Sequence, residues 1–278
     1  MLRQRVITAV LLLLVLLAAL FAPVESAFGL LMAVIMAAAA WEWARLSGCQ
    51  SGMCWASAAL AAGACALMTS WGWHATASDG VRIFVSLASL AWLGLAPWLL
   101  RAGVPVWQRI PSPVRLVMGL FVLCAAWLAA VQLHGRFGVW YLLSVLALAW
   151  AADISAYFAG RAFGKRKLAP SISPGKSWAG VYGGVAGALL LALICSQLSV
   201  SNFHADIAAR AGIPVLLVVV AALTAMSVVG DLVESLMKRS MGLKDSSQLL
   251  PGHGGVLDRI DALLPVLPLA LTVTLWLA

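Results

Sequence analysis

Residues 212–261 read GIPVLLVVVAALTAMSVVGDLVESLMKRSMGLKDSSQLLPGHGGVLDRID, and within them an uncharged apolar run passes abruptly into a charged one. The apolar part, residues 212–230, has the roughly 20 residues that a helix needs to cross the hydrocarbon core of a bilayer. The part that follows holds five of the chain's ten acidic residues. Because the whole chain is 63% hydrophobic and only 10% charged, this concentration of charge predicts a functional site at the end of a membrane helix.

The rest of the chain repeats the apolar pattern. Its mean hydropathy of +1.01 lies far outside the range of a soluble domain. Backbone N–H and C=O groups in hydrocarbon must be paired within their own segment, so long apolar runs are expected to be helices. We predict an all-α polytopic membrane protein with nine spans, over residues 6–21, 27–43, 53–73, 83–100, 114–133, 137–158, 178–198, 212–230 and 262–278.

The basic residues predict the orientation of these spans. The amino terminus and every second loop hold 15 of the 18 lysines and arginines, and the opposite loops hold Arg82, Arg136 and Arg210. Cytoplasmic loops carry the excess of positive charge, so we expect a cytoplasmic amino terminus and an external carboxyl terminus. The first span follows Arg3 and Arg5 and resembles a signal peptide, but removing it would break this alternation, and we expect a retained helix. Basic loops beside anionic membrane lipid account for the net charge of +8 without a nucleic-acid partner.

The two halves of the chain differ in composition. Residues 1–135 hold few polar side chains, and we interpret them as scaffold and dimerisation helices. Residues 136–278 contain two long loops, 159–177 and 238–261, with glycines, prolines and most of the cytoplasmic positive charge. The five cysteines show no spacing typical of a metal site and are expected to be small buried apolar residues. Function is therefore predicted for the second half, within a single membrane domain.

The eighth span is expected to continue as a helix to about Ser240. Helical periodicity then places Asp231, Glu234, Ser235 and Lys238 on one face. Carboxylates at the mouth of a membrane helix are costly if they face lipid. An active site and an ion-paired helix end that reaches the membrane surface both explain this face, and it does not decide between them.

Two further carboxylates, Asp258 and Asp261, are one helical turn apart and are expected to open the ninth helix. A hard ion such as Mg²⁺ takes oxygen ligands, usually one or two carboxylates together with phosphate and water. Asp231 and Asp258 on neighbouring helices are candidate ligands. No cluster of histidine and cysteine in the sequence competes for a softer metal.

The residues around these acids are suited to phosphate. Phosphoryl-type transfer depends mostly on positioning and charge neutralisation, and candidate groups for it are Lys238, Arg239, Lys244 and Arg259. Gly254 and Gly255 would allow backbone N–H groups to approach phosphate oxygens. For His253, a catalytic or nucleotide contact and a hydrogen bond that shapes the loop both remain open.

The second loop lies within residues 153–184, DISAYFAGRAFGKRKLAPSISPGKSWAGVYGG. A carboxylate, Asp153, stands near the end of the sixth span, and a basic cluster that includes Lys165 follows. Ser173 and Lys176 then lead into the seventh helix. The loop is either a plain positive-inside connection or a second phosphate-binding wall near a helix start.

Residues 235–261 resemble the signature of the phosphatidate cytidylyltransferase (CDP-diacylglycerol synthase) family. The pattern is S-x-apolar-K-R, four residues, K-D, and then P-x-H-G-G-apolar-x-D-R-apolar-D. It is carried here by Ser235, Lys238, Arg239, Lys244, Asp245, Pro251, His253, Gly254, Gly255, Asp258, Arg259 and Asp261. One departure lies outside this run, where the usual Ser-Pro-Lys-Lys-Thr-Trp-Glu-Gly is SPGKSWAG at residues 173–180, lacking a lysine and a carboxylate.

The resemblance implies an activity and its setting. The family transfers the cytidylyl group of CTP to phosphatidic acid with Mg²⁺, and a second metal ion is left open. Its members are homodimers of nine-helix protomers, and the setting implied is a bacterial inner membrane with the polar cavity facing the cytoplasm. Asp231 and Asp258 match the positions of the metal centre, and Asp261 lies close to them.

Two alternative functions agree less well with the sequence. In an ion-coupled transporter, Asp153 and Asp231 would carry protons or cations, but such sites usually lie near the membrane midplane, and here the polar residues gather at one face. A CDP-alcohol phosphotransferase would carry D-x-x-D-G-x-x-A-R, which is absent from the sequence.

Overall fold

A computed structural model describes residues 2–24 and 26–277, with side chains from residue 7 onward. The described residues form these elements: α1 (Leu2–Leu20), α2 (Ser26–Leu46), α3 (Ser51–Ser70), α4 (Asp79–Arg109), α5 (Ser112–Phe137), α6 (Val139–Phe163), β1 (Lys167–Ala169), β2 (Ser173–Ser177), α7 (Trp178–Ser196), α8 (Phe203–Ala211), α9 (Ile213–Ser240), α10 (Leu257–Ile260) and α11 (Leu263–Leu277). The predicted all-α class is confirmed, with a small antiparallel hairpin β1–β2 as the addition.

Seven helices within the described ranges are long and apolar enough to cross a membrane: α2, α3, α4, α5, α6, α7 and α9. Shorter apolar helices occupy the first and last predicted spans, at Ile7–Leu20 and Leu263–Leu277. The chain is therefore an integral membrane protein with several spans. The count of nine and the orientation of the termini remain predictions, and Ala278, the last residue of the ninth predicted span, lies outside the described residues.

Helix α5 lies at the centre of the bundle, and 72% of the residues in its most apolar 18-residue stretch are buried. Small side chains such as Ala125, Ala126 and Ala129, all fully buried, allow neighbouring helices to approach it closely. The Trp43 ring of α2 lies directly against Gly119, where an added Cβ would overlap it. This contact fixes α2 on α5 and so fixes the residues that α2 carries at its carboxyl end.

Helices α6 and α7 pack through a row of glycines. An added Cβ at Gly183 would overlap Ala159, and at Gly184 it would lie 3.0 Å from the carbonyl oxygen of Ala152. Because backbone lies against backbone here, the end of α6 and the hairpin β1–β2 come together on one side of α9. These contacts form one wall of the candidate site.

The start of the last helix differs from the prediction. Asp258 lies in the separate short helix α10, and Asp261 follows it, so neither residue opens α11. Pro265 explains this break, because it has no N–H to donate to the carbonyl of Asp261. In a continuous helix its ring would also clash with that carbonyl. The chain bends at this point, and the Asp261 carboxylate instead accepts a hydrogen bond from the Ala262 N–H at 2.8 Å.

Candidate active site

The carboxyl end of α9 carries the polar face predicted from the sequence. The helix runs unbroken to Ser240, and the Ser235 hydroxyl donates to Asp231 Oδ1 at 3.3 Å. One turn later, the ammonium group of Lys238 forms an ion pair with Glu234. The predicted helical extension and shared face are confirmed, and the face points into the protein, where Glu234 is 3% exposed.

The hairpin β1–β2 brings Lys176 to this face. Its Nζ lies 2.6 Å from Asp231 Oδ2, and both side chains keep partial access to solvent, at 25% and 36% exposure. Ser177 ends the hairpin and caps α7 by accepting from the Gly180 N–H at 3.2 Å. Lys176 lies in strand β2, directly before the residue that caps α7. These two constraints direct its side chain toward α9.

A cavity of about 480 Å³ opens beside this ion pair. Asp153, Tyr157 and Arg161 of α6 line it on one side, and Lys176 and Asp231 line it on the other. We call it the hairpin cavity. It combines two carboxylates, two cations and a phenol, and its walls include the exposed apolar end of α6. Ser173 and Lys165, both described, do not line the cavity: Ser173 is half-buried in β2, and Lys165 is exposed.

The loop between α9 and α10 is folded around the carboxylate of Asp258. Lys238 Nζ lies 2.6 Å from Asp258 Oδ1. The other oxygen, Oδ2, accepts from the Ser246 N–H at 2.9 Å, the Ser246 hydroxyl at 2.8 Å and the Gly255 N–H at 2.8 Å. Burial alone would raise the pKa of Asp258, but its contacts with Glu234, Lys238 and the Gly255 N–H hold the pKa well below its usual range.

Asp261 lies near Asp231, Lys176 and Lys238, whose charges all act on its carboxyl group. An added Cβ at Gly230 would overlap the Asp261 carbonyl oxygen, so the backbones of α9 and of the bend before α11 are in direct contact here. Burial, followed by the negative charge of Asp231, raises the pKa of Asp261 to about 7. The charge of Asp231 is therefore close enough to disfavour the ionisation of Asp261.

A second cavity, of about 840 Å³, is lined by Lys244, Asp245, His253, Gly254 and Arg259, among others. We call it the loop cavity. Arg259 donates from Nε and Nη2 to the His253 carbonyl, at 3.1 and 2.7 Å, and its exposed guanidinium edges this cavity. The Nδ1 of His253 is buried without a hydrogen-bond partner among the described residues, and both alternatives for this side chain remain open.

Gly254 and Gly255 are needed for the conformation and packing of the loop. Gly254 adopts a φ of +84°, which favours glycine. An added Cβ at Gly255 would overlap the Ser246 hydroxyl and the Glu42 carboxylate, and the Gly255 N–H is directed to Asp258. The N–H predicted to approach phosphate thus holds a carboxylate of the loop itself.

Arg239 joins the two walls of the site. Its Nε donates to the Ile172 carbonyl at 3.2 Å, beside β2, and its Nη1 donates to the Leu243 carbonyl at 3.0 Å. The side chain therefore fixes the hairpin on the end of α9 while remaining exposed.

The site includes a carboxylate that lay outside the sequence-based candidates. Glu42 of α2 is fully buried and accepts hydrogen bonds from the Val256 N–H at 2.9 Å, the Leu257 N–H at 2.6 Å and the Ser246 hydroxyl at 3.2 Å. The Ser247 hydroxyl also contacts it. The signal was present in the sequence: Glu42 is the only acidic residue in its predicted span, and a carboxylate there is costly without partners.

The donor chemistry of the site suits Mg²⁺. Asp231 Oδ2 and Asp258 Oδ1 each already face a cation, the ammonium groups of Lys176 and Lys238. Over residues 2–24 and 26–277, no group of three or more histidine, cysteine, aspartate or glutamate side chains lies close enough to hold an ion. A hard ion with one or two carboxylates, completed by phosphate oxygens and water, fits this arrangement.

The chain is similar to known proteins over its whole length. Residues 3–277 match the model of the cytidylyltransferase family. The chain is 41% identical to the phosphatidate cytidylyltransferase of Pseudomonas aeruginosa, over 100% of this chain and 98% of the relative. It is 36% identical to that of Haemophilus influenzae, over 96% of both chains. A relative of the same name from Bacillus subtilis is 38% identical over 52% of this chain and 51% of its own length.

Proposed function

Since this chain belongs to the cytidylyltransferase family, we propose that it transfers the cytidylyl group of CTP to phosphatidate, giving CDP-diacylglycerol and pyrophosphate for phospholipid synthesis. The observation that carries the proposal is the full-length similarity to relatives named phosphatidate cytidylyltransferase. The membrane setting is consistent with it, because the lipid substrate resides in the bilayer while CTP arrives from water.

The reaction is a single displacement at phosphorus. An oxygen of the phosphatidate phosphate forms a bond to the α-phosphorus of CTP, and the bond from that phosphorus to the bridging oxygen of the β-phosphate breaks. The electron pair leaves with pyrophosphate. The attacking oxygen is already anionic, so the residues of the site need not remove a proton, and their task is to bring two polyanions together.

The two cavities supply cations for this task. Lys176 and Arg161 line the hairpin cavity, and Lys244 and Arg259 line the loop cavity. Lys238 stands between them and neutralises Glu234 and Asp258. We assign the hairpin cavity to the lipid phosphate, because it opens beside exposed apolar side chains of α6 such as Tyr157 and Phe158. The loop cavity is then assigned to CTP.

One or two of the carboxylates Asp231, Asp258 and Asp261, completed by phosphate oxygens and water, would hold Mg²⁺, which when bound would withdraw charge from the phosphate oxygens. For Asp258 the available oxygen is Oδ1, because Oδ2 accepts three hydrogen bonds from the loop. For Asp231 both oxygens are engaged, Oδ1 by the Ser235 hydroxyl at 3.3 Å and Oδ2 by Lys176 at 2.6 Å. We propose that Lys176 and Lys238 balance these carboxylates and, with the ion present, turn toward phosphate.

We further propose that the active site faces the cytoplasm of a bacterial inner membrane and that the protein is a homodimer. The excess of basic residues in alternate loops supports the orientation. The homodimer rests on the family resemblance alone. Cysteine crosslinking in membranes tests the dimer, and labelling of Lys244→Cys from either side of sealed vesicles tests the orientation.

The decisive experiment uses purified protein in detergent with labelled CTP, Mg²⁺ and phosphatidate. We expect a labelled CDP-lipid and an equal amount of pyrophosphate, and loss of both with Asp231→Asn or Asp258→Asn. No product from the unmodified protein would overturn the function, and normal synthesis by both variants would overturn the metal assignment. Metal-dependent pyrophosphate release also separates this proposal from an ion-coupled transporter, which the named relatives do not favour.

A further inference from the structure

We propose that Glu42 is a positioning residue for this reaction, holding the Asp258 loop in place from α2; the proposal rests on the proposed function. Glu42 lies far in sequence from the second half of the chain, for which the sequence predicts the chemistry. Its carboxylate is fully buried, and its hydrogen-bond partners among the described residues lie in the loop between α9 and α10 and at Leu257, the first residue of α10. The separations in sequence are 204 to 215 residues.

The geometry links Glu42 to Asp258 through one hydroxyl. Ser246 Oγ lies 2.8 Å from Asp258 Oδ2 and 3.2 Å from Glu42 Oε2. The backbone of Ser246 is held as well, since its N–H donates to Asp258 at 2.9 Å and its carbonyl accepts from Arg45 Nη1 at 2.5 Å. Two residues one turn apart on α2 thus fix the residue that holds the Asp258 carboxylate.

Glu42 also fixes the segment that leads into Asp258. Its Oε1 accepts from the Val256 N–H and its Oε2 from the Leu257 N–H, immediately before Asp258 in sequence. Gly255 completes this contact, because any side chain there would overlap Glu42. Loss of the carboxylate would leave these buried donors unpaired, and such groups are costly. The loop would then leave the conformation that directs Asp258 Oδ1 toward Lys238.

The sharpest variant is Glu42→Gln, because it keeps the shape of the side chain. Each carboxylate oxygen faces a backbone N–H, so the amide nitrogen would confront an N–H in either orientation. Glu42→Asp keeps the charge but shortens the reach and is expected to lie between Gln and the unmodified protein. Asp79→Asn, at an exposed site in the first turn of α4, is the matched control for the loss of one carboxylate.

Hydrogen exchange measured by mass spectrometry on the full chain in detergent reads the loop directly. In Glu42→Gln we expect amide exchange across residues 246–257 to accelerate on the order of tenfold, with α8 and α11 unchanged. Alongside this, kcat should fall on the order of tenfold or more while the KM for phosphatidate changes little. Asp79→Asn should match the unmodified protein in both measurements.

Three outcomes would overturn the proposal: unchanged exchange in the loop, equal acceleration in every helix, or a mobile loop with normal kcat. An inactive unmodified protein would overturn the proposed function instead, and the exchange pattern would still decide whether Glu42 holds the loop. Should Glu42→Gln fail to fold, Ser246→Ala removes the hydroxyl between the two carboxylates. It is expected to loosen the same segment and to lower kcat, and an unchanged loop in that variant also refutes the proposal.

Discussion

Replacing Lys238 by methionine tests the electrostatics of the site most directly. The ammonium group contacts both Glu234 and Asp258, and methionine retains much of the apolar stem while removing the charge. The exposed fractions are 12% for Lys238, 3% for Glu234 and 7% for Asp258. Both acidic side chains would therefore lose their shared cation in surroundings that water hardly reaches.

The expected cost follows from this burial. Removing one partner of a buried ion pair typically costs about 3–5 kcal/mol, because the remaining charge is uncompensated. An exposed pair is worth about 0–1 kcal/mol. Lys167→Met, which removes an exposed ammonium group from β1, is the matched control and is expected to change the free energy of unfolding by less than about 1 kcal/mol.

Unfolding in mixed micelles with an increasing mole fraction of SDS, followed by circular dichroism, measures this difference. Adding Asp258→Asn to Lys238→Met should recover part of the lost stability, because the uncompensated carboxylate is then removed. If Lys238→Met lowers stability no more than Lys167→Met does, the triad is not buried as described. If the double variant is less stable than Lys238→Met alone, charge is not the reason for the loss.

Three further predictions concern neighbouring residues. The raised pKa of Asp261, about 7, means that its contribution to stability is fully present below the unfolded value of about 3.9 and is lost as the pH rises through about 7. Unfolding in EDTA should show this loss between those pH values, and Asp261→Asn should remove it; parallel profiles would contradict the assignment. Gly255→Ala should destabilise the protein by about 1–3 kcal/mol through overpacking against Ser246 and abolish CTP turnover, and a normal melting temperature would contradict the close contact. Lys176→Met should leave stability within about 1 kcal/mol, because its pair with Asp231 is partly exposed, but raise the KM for phosphatidate on the order of tenfold, as measured by initial rates in mixed micelles; an unchanged KM would place the lipid phosphate elsewhere.

The elements governed by local chemistry could be predicted from the sequence. The face of α9 follows from helical periodicity, and the contacts of Ser235 with Asp231 and of Lys238 with Glu234 confirm it. Apolar length similarly predicted the membrane helices. The break between α10 and α11 was missed although Pro265 marks it, because the apolar run continues through the proline and hides the missing hydrogen bond.

The partner of Glu42 could not have been predicted in the same way. Its contacts with Ser246 and Leu257 depend on how α2 packs against α5 and on the path of a loop more than 200 residues later. Periodicity and propensity carry no information about such pairs. A lone acid in an apolar span indicates only that a partner exists. The assignment of all chemistry to the second half therefore overlooked a residue that the first half contributes.

The two cavities are coupled through one rigid element. Asp231 and Lys238 are seven residues apart on α9, which is about 10 Å along the helix axis at 1.5 Å per residue. Asp231 meets the hairpin through Lys176, and Lys238 meets the loop through Asp258. Both ion pairs start from one continuous helix. Neither the hairpin nor the segment that carries Asp258 can therefore shift along α9 without breaking its own ion pair with that helix. Under the proposed assignment of the cavities, the spacing of the two polyanionic substrates is set by the rise of a helix, and the loop beside the CTP cavity is held by Glu42 and Arg45 of α2.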